Sequence, residues 1–352
     1  MGLGLVVNVG GSPDQQLSDA VWVEVYERMG EMTKYRIRYD IDISQGDFPD
    51  LIDARTDAGS ELAINVPLGG KNNYLVKGPV TGQQIHFLHG GGGSYVEVEG
   101  ADTSVKMARE SKAALWSDLT DSDAVSRILG QYGYTPDVDS TSAGHFEQKH
   151  SLVQRDSDLA FVRRLARRNG FLFWITCDES ATETAHFKRP AVDGNSVTNL
   201  DINIGTNNIA ALDLSWDVER STSVVAAQLN LNDKSIIDGE VPASPLTALG
   251  TSTLGAITGD TRSAHLYAPV DDSGDLHARG EGALIEDAWF VRATCKTSVN
   301  AMNMIVRANT VVTLRGAGTR HSGKYFVAGV RHVIDSSAHN MEIELVRNAW
   351  GN

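Results

Sequence analysis

Residues Gly318 to Lys324, GTRHSGK, fill the first seven positions of a P-loop, the turn that holds nucleotide phosphates. The eighth position of a P-loop is Ser or Thr, which binds magnesium, but this chain has Tyr325 there. A P-loop also continues into a helix whose N–H groups face the phosphate. The residues after the lysine, YFVAGVRHV, are instead typical of a strand. We therefore predict a turn between strands and no nucleotide or other cofactor.

Gly90 to Gly93 form a run of four glycines that could cradle an anion with backbone N–H groups. They lie between two predicted strands, and ordering four glycines has a large entropic cost. A linking loop accounts for them without a ligand.

One stretch nearly matches a hydrolase motif: GTSTLG at residues 250–255. The G-x-S-x-G elbow of hydrolases requires a final glycine where this chain has Leu254. No pair of carboxylates can be placed across a cleft from the sequence, as a glycosidase would require. We predict no catalytic residues and no enzyme, with a cell-wall hydrolase as the alternative.

The chain has ten histidines but no HExxH motif and no Cys/His ligand set. His145 and His150 are five positions apart in a predicted strand, so their side chains would point to opposite faces. His321 and His332 flank another predicted strand. This spacing predicts no metal site.

The segment from Gln154 to Ile175, QRDSDLAFVRRLARRNGFLFWI, contains a dense group of arginines. At about 100° per residue its apolar side chains fall on one arc of a helix. The opposite arc carries the candidate protein-interaction residues Arg163, Arg164, Arg167 and Arg168. These arginines are either solvated surface charge with carboxylate partners elsewhere in the chain, or a face that docks on an acidic protein or a neighbouring copy.

Nucleic acid and membrane are not predicted partners of this helix. No aromatic side chains are interleaved with the arginines, as they are in single-strand binders. A membrane-surface helix would expose its apolar arc, whereas the strand predicted after this helix covers it. The formal net charge of -14 also opposes contact with anionic polymers and lipids.

The composition indicates an ordinary soluble protein of two or three domains in 352 residues. Met1 to Gly11 predicts a first strand and not a signal peptide, and no apolar run reaches the ~18 residues of a membrane span. Cys177 and Cys295 are far apart, which favours reduced thiols in the cytoplasm over a disulfide.

Two helices and their surroundings are predicted in the middle of the chain. Thr120 is the expected N-cap of the first helix, which stops at Gly133. A strand is expected at Phe146 to Gln154, and the arginine-rich helix then begins after Asp156 or Ser157 and ends at Asn169-Gly170. The following run, Phe171 to Ile175, predicts a strand buried on both faces.

The two ends of the chain are predicted to be β-rich. Alternating residues indicate strands at 21–25, 35–41, 75–84 and 94–99, and again at 211–214 and 224–231. Residues 233–275 are the best loop candidate, and a helix at 276–288 is weakened by Gly280 and Gly282. Strands are expected at 290–297, 310–314, 325–334 and 341–346, the last two as a hairpin around 335–340.

The predicted fold class is therefore α+β and β-rich: two barrel or sandwich domains separated by an α+β unit. The approximate boundaries are 1–112, 113–205 and 206–352, and the domains could be interleaved in sequence.

Three stretches resemble the baseplate hub family of contractile tails, which includes the phage late control protein D and the N-terminal part of type VI secretion spike proteins. They are WSDLTDSDAVSRILGQYGY (Trp116 to Tyr134), RDSDLAFVRRLARRNGFLFW (Arg155 to Trp174) and SGKYFVAGVRHVIDSSAHNMEIELV (Ser322 to Val346). Their order and separation agree with the family. The chain ends soon after the third stretch, so we expect any OB-fold, needle or lysozyme domain to belong to a separate protein.

The resemblance implies a structural protein with two tail-tube-like β-barrels in one chain. Three copies would form a homotrimeric ring that adapts a hexameric tail tube to a trimeric spike. The expected partners are further copies of the chain, the tail tube, spike, baseplate wedge and tape-measure proteins, and the expected location is the tail baseplate of a virion assembled in the host cytoplasm. The hub of an extracellular contractile injection system or another phage-derived particle is the alternative of the same class.

Overall fold

The computed structural model describes residues 4–41, 53–148, 151–229, 234–268, 270 and 272–351. The strands within them are β1 (Val6–Val9), β2 (Ser12–Asp14), β3 (Trp22–Arg28), β4 (Lys34–Asp40), β5 (Glu61–Asn65), β6 (Tyr74–His86), β7 (Tyr95–Ala101), β8 (Ala114–Trp116), β9 (Leu119–Thr120), β10 (Thr135–Val138), β11 (Gly144–His145), β12 (Leu152–Gln154), β13 (Leu172–Cys177), β14 (Glu183–Lys188), β15 (Asn199–Asp201), β16 (Ala211–Trp216), β17 (Ser223–Leu229), β18 (Ile236–Asp238), β19 (Ser252–Thr253), β20 (Ser263–Leu266), β21 (Val291–Ser298), β22 (Val311–Arg315), β23 (Gly323–Asp335), β24 (His339–Arg347) and β25 (Ala349–Trp350).

The helices are short in comparison. They are α1 (Gln15–Ser18), α2 (Asp121–Gln131), α3 (Asp158–Arg168), α4 (Leu254–Thr258), α5 (Ser273–Asp287), α6 (Val299–Met302), α7 (Gly318–His321) and a 3-10 helix at Thr103–Ala108. The predicted fold class, α+β with a predominance of β structure, is confirmed. No described helix is long and apolar enough to span a bilayer.

One 13-stranded sheet dominates the molecule, with the order β16-β21-β24-β23-β3-β4-β7-β6-β5-β1-β2 and with β22 and β15 branching from β23. Strands from both ends of the chain meet where β23 pairs antiparallel with β3. Their alternating apolar residues, such as Val23, Ile37, Val330 and Ile343, are fully buried in one core. The sheet is thus continuous across the predicted ranges 1–112 and 206–352, whose boundaries stay a prediction.

The closing hairpin is confirmed: β23 and β24 pair antiparallel around a turn at Asp335. The Asp335 carboxylate accepts hydrogen bonds from the N–H groups of Ser337 and Ala338 at 2.7 and 2.9 Å. This side-chain turn fixes the register of the hairpin.

The α+β unit has its own core, in which α2 and α3 pack on the three-stranded sheet β10-β14-β13. Thr120 and Asp123 form a capping box at the start of α2, and Gly133 follows its end with φ 75°. This helix is confirmed with the predicted cap.

Three predictions in the middle of the chain are wrong. Residues 146–154 are not one strand, because residues 147 and 148 lie in a turn and only β12 within this range is a strand, paired with β8; His150 lies outside the described residues. The strand β13 alternates between buried and half-buried residues, because only one face of its sheet meets the helices. The range 233–275 is not a plain loop, because β18 and β20 pair with β17 and Leu254 of α4 is buried.

Helix α5 confirms the prediction at 276–288, and it is longer than predicted. Its two glycines are packing positions. A Cβ at Gly282 would lie 2.8 Å from the carbonyl oxygen of Arg168, and one at Gly280 would lie 2.8 Å from a methyl of Val241. The glycines that weaken the helix signal are therefore the points where α5 approaches α3 and the β17 region.

Candidate interaction site on the basic helix

Helix α3 places the four predicted arginines. Ser157 is its N-cap, with Oγ accepting a hydrogen bond from the N–H of Ala160 at 3.3 Å. Its apolar residues Phe161, Val162 and Leu165 are fully buried. Gly170, with φ 66°, turns the chain into β13. The predicted amphipathic helix is confirmed with both of its ends.

Arg168 points into the protein and not outward. Its guanidinium donates two hydrogen bonds to the carboxylate of Asp121, one of them 2.6 Å from Nε to Oδ2. Asn169 donates to the same carboxylate at 2.7 Å, and the His145 Nε2 lies 2.8 Å from it. The Asp121 carboxylate is 2% exposed, so this cluster joins the start of α2 to the end of α3 inside the unit.

The charge of Asp121 is set by these contacts. Burial alone would raise the pKa of Asp121, but hydrogen bonds and charge from His145, Arg168 and Asn169 outweigh it and lower the pKa to about 2. The carboxylate is therefore ionised at neutral pH and serves as the counterion of Arg168.

Arg167 and Arg164 face solvent, each beside a carboxylate of the same chain. Arg167 donates to both oxygens of Glu286 on α5 at 3.0 and 2.8 Å. Arg164 lies 3.4 Å from the carboxylate of Asp156 and donates to the Val153 carbonyl at 3.1 Å. The Arg167–Glu286 pair is exposed and the Arg164–Asp156 pair is partly exposed, and ion pairs at such positions contribute little to stability.

Arg163 differs from its neighbours. Within the described part of the chain it forms no hydrogen bond and no ion pair, and its Nε is buried without a partner. The side chain is half-buried. Burial lowers the pKa of Arg163, and the more distant carboxylates of Asp102 and Glu31 oppose that effect.

The Arg163 side chain lines a pocket of about 260 Å³ between α3, β13 and α5. Apart from Arg163 and the Arg167–Glu286 pair, the side chains around it are apolar. They are Met29, Ala166, Phe171, Leu172, Phe173, Pro190, Ile285 and Trp289. The arrangement suits an apolar group that carries a negative charge.

The sequence did not indicate the carboxylate partners of Arg167 and Arg168, because Glu286 and Asp121 are 119 and 47 residues away. It also did not indicate the pocket, which is built from four separate segments. The one available signal was Gly282, whose missing side chain permits α5 to approach the end of α3.

The structure places the phosphate-binding candidates in turns. Residues 318–321 form one helical turn and β23 follows from Gly323, so GTRHSGK connects β22 to β23 as predicted. The Lys324 ammonium donates to the carbonyl of Gly194 at 3.2 Å. Gly90 to Gly93 lie in the loop between β6 and β7. In GTSTLG, the near match to the hydrolase elbow, Ser252 lies in β19, which pairs with β25.

Two further histidines occupy polar positions in the core. His332 and His339 are buried on β23 and β24, with 3.0 Å between His332 Nδ1 and His339 Nε2. Burial, His339 and Arg307 lower the pKa of His332 well below its usual value, and burial lowers the pKa of His339 to about 4. Across the described residues, no three His, Cys, Asp or Glu side chains are grouped to hold a metal ion.

A polar row crosses the sheet β10-β14-β13. The Thr176 hydroxyl lies 2.7 Å from His186 Nε2, and His186 Nδ1 lies 2.8 Å from the Asp137 carboxylate. The order hydroxyl, imidazole, carboxylate matches that of a hydrolase triad. Lys188 also donates to Asp137 at 3.0 Å, and the Trp174 ring stacks on His186 with 4.6 Å between centroids. Sequence spacing did not predict this row, because it depends on strand register.

The family model of the Alg8 N-terminal domain matches residues 3–336. The chain belongs to this family. No curated protein sequence matches the chain.

Solved structures with the same fold are phage tail and secretion proteins. The prophage MuSo2 43 kDa tail protein from Shewanella oneidensis is 14% identical, with 98% of each chain covered and a TM-score of 0.67. A tail protein from Neisseria meningitidis is 13% identical, with 99% of this chain and 98% of that chain covered and a TM-score of 0.67.

An E. coli protein described as a component of the type VI secretion system is 13% identical, with 98% of this chain and 78% of that chain covered and a TM-score of 0.60. The resemblance to the baseplate hub family is confirmed at the level of the fold.

Proposed function

We propose that this protein is a structural, non-enzymatic baseplate hub of a contractile phage tail. The observation that carries the proposal is the likeness of the whole fold, and not of one domain, to two tail proteins at TM-scores of 0.67. This likeness extends over 98–99% of this chain.

In this proposal three copies form a ring between the hexameric tail tube and the trimeric spike. Each copy would supply two tube-like β regions, from 1–112 and 206–352, so that three copies offer six similar positions to the tube. Antiparallel strands from both ranges lie side by side in the large sheet, joined at β3 and β23. The end strands β16 and β2 each have one strand partner among the described residues, which leaves backbone groups for pairing with a neighbour.

The proposed partners are other copies of the chain, the tail tube and the spike, with wedge and tape-measure proteins around them. The four arginines of α3 are proposed as part of a protein-interaction face. The proposed location is the virion tail baseplate, after assembly in the host cytoplasm. The hub of an extracellular injection system is the alternative of the same class, supported by the fold of the type VI secretion component.

A cell-wall hydrolase is the alternative from another class, and the row Thr176–His186–Asp137 is the observation that favours it. A structural role fits better, because the three side chains lie on paired strands and satisfy one another's hydrogen bonds. Lys188 also binds the carboxylate, and the Trp174 ring covers one face of the imidazole. On a peptidoglycan zymogram we expect no clearing; clearing that disappears in Thr176→Val would replace the structural proposal by a hydrolase.

Sedimentation velocity of the purified full chain, alone and with the spike protein, tests the hub directly. We expect a trimer, either alone or on addition of the spike. A chain that stays monomeric at all concentrations and gains no mass with spike or tube protein contradicts the proposed function.

A further inference from the structure

Arg163 is the unmatched charge of α3. Arg164, Arg167 and Arg168 each lie within ion-pair distance of a carboxylate in the same chain, namely Asp156, Glu286 and Asp121. The chain has 45 acidic and 31 basic residues, so carboxylates are abundant, yet none of the described ones lies within 4.0 Å of the Arg163 guanidinium. A half-buried guanidinium with no carboxylate in contact reduces stability, since burial removes water without replacing its hydrogen bonds.

Arg163 lies at the edge of an apolar pocket, which we call the socket. The pocket of about 260 Å³ is walled by apolar side chains, including Phe171, Pro190 and Trp289. The exposed Arg167–Glu286 pair lies at the same pocket. In such a site the fork of Arg163 would bind a carboxylate through two hydrogen bonds, shielded from water by the apolar wall.

We propose that the pocket receives a carboxylate, together with an adjacent apolar side chain, from a second copy of this chain. The inference rests on the proposed function, because a three-fold ring needs a heterologous interface in which a recess on one copy meets a different surface on the next. The pocket would be the recess of that interface, and Arg163 would be its central charge.

Charge complementarity supports a second copy as the occupant. With a net charge of -14, the surface of this chain supplies the carboxylates that Arg163 lacks. One described segment has both required groups: Ile236 is 74% exposed, and Asp238 and Glu240 beside it are exposed. Neither carboxylate forms an ion pair with another described residue. This segment is the preferred partner of the pocket.

The first test measures stability and self-association in the same variant. Arg163→Met keeps the aliphatic stem and removes the unpaired charge. We expect an unchanged or higher melting temperature in the monomer, and self-association weakened roughly tenfold or more in sedimentation velocity. Arg127→Met is the matched control: Arg127 is an exposed arginine on α2 that forms no ion pair with described residues, and its removal should leave association unchanged.

The second test identifies the occupant. In the Arg163→Lys variant the cation is kept as an amine, and a carbodiimide then joins it to a carboxylate in contact, with loss of water as the urea by-product. Mixing ¹⁴N- and ¹⁵N-labelled chains separates links between copies from links within one copy by mass spectrometry. We expect a link between copies, to Asp238 or Glu240; a link between copies to another carboxylate supports the socket and assigns a different segment.

The outcomes separate this inference from the function on which it rests. A wild-type trimer that Arg163→Met leaves intact, or links of the introduced lysine only within its own chain, overturns the socket and leaves the hub standing. A wild type that stays monomeric even with the spike protein overturns both.

Discussion

Two buried polar clusters of the molecule are stabilised in opposite ways. In the α+β unit, Asp121 and Arg168 are charged and hydrogen-bonded to each other, to His145 and to Asn169. In the closing hairpin, His332 and His339 meet at 3.0 Å and are both kept neutral by burial. In the described residues, His332 Nε2 and His339 Nδ1 have no hydrogen-bond partner. A buried charge is kept where a complete set of partners surrounds it, and a buried titratable group with incomplete partners loses its charge.

The largest effect is expected at the charged cluster. Asp121→Asn should leave Arg168 without a counterion in a buried site and lower the free energy of unfolding by about 3–5 kcal/mol. Urea denaturation measures the loss. Asp123→Asn is the control, because Asp123 is an exposed carboxylate of the same helix that supports the cap; it should cost about 1 kcal/mol. Equal losses in the two variants would mean that burial of the pair contributes nothing.

The second prediction uses pH to separate the two clusters. The unfolded His339 has its usual pKa near 6.5, and the folded one about 4, so between these values the unfolded chain binds more protons. Stability should therefore fall as pH decreases from 6.5 to 4, by about 3 kcal/mol for this residue. The pKa of Asp121 is about 2 in the folded chain and 3.8 in the unfolded chain, so its contribution to stability should be lost only between pH 3.8 and 2.

The difference between wild type and His332→Leu/His339→Leu isolates the hairpin pair. Burial also lowers the pKa of His186 and His321, and it raises the pKa of Asp102 to about 6, which acts in the opposite direction. These groups are the same in both proteins and cancel in the difference. Melting temperatures from pH 7 to 4 should decrease less steeply in the double variant; parallel curves would show that the pair is not the source of acid sensitivity.

The contrast between these regions also separates what the sequence could predict from what it could not. The capping box of Thr120 and Asp123 and the turn at Asp335 act within a few residues, so α2 and the closing hairpin could be read directly. The partners of Arg168 and the row Thr176–His186–Asp137 depend on tertiary packing and strand register. For the same reason the helical wheel placed Arg168 outside, although its long side chain reaches inward to Asp121.

A substitution at Gly282 tests how closely α5 must approach the end of α3 for the charged cluster to form. Its Cβ would lie 2.8 Å from the Arg168 carbonyl oxygen, so Gly282→Ala should destabilise by about 1–3 kcal/mol through forced displacement of the helices, despite the better helix propensity of alanine. Gly130→Ala in α2 is the control, because nothing lies within 4 Å of its Cβ; it should stabilise by about 0.5–1 kcal/mol. Thermal unfolding of both variants measures the change in stability. A stabilising Gly282→Ala would contradict close packing at this crossing.

The smallest effect is expected from an ion pair on the same helix that differs from Arg168–Asp121 mainly in exposure. Arg167 and Glu286 make two hydrogen bonds at 3.0 and 2.8 Å, but their side chains are 76% and 58% exposed. Glu286→Gln should lower the free energy of unfolding by at most about 0.5 kcal/mol, and less in 1 M salt, because water and ions screen the pair. Urea denaturation at low and high salt measures the change. A loss near that of Asp121→Asn would mean that bidentate geometry, and not burial, sets the strength of the arginine pairs on α3.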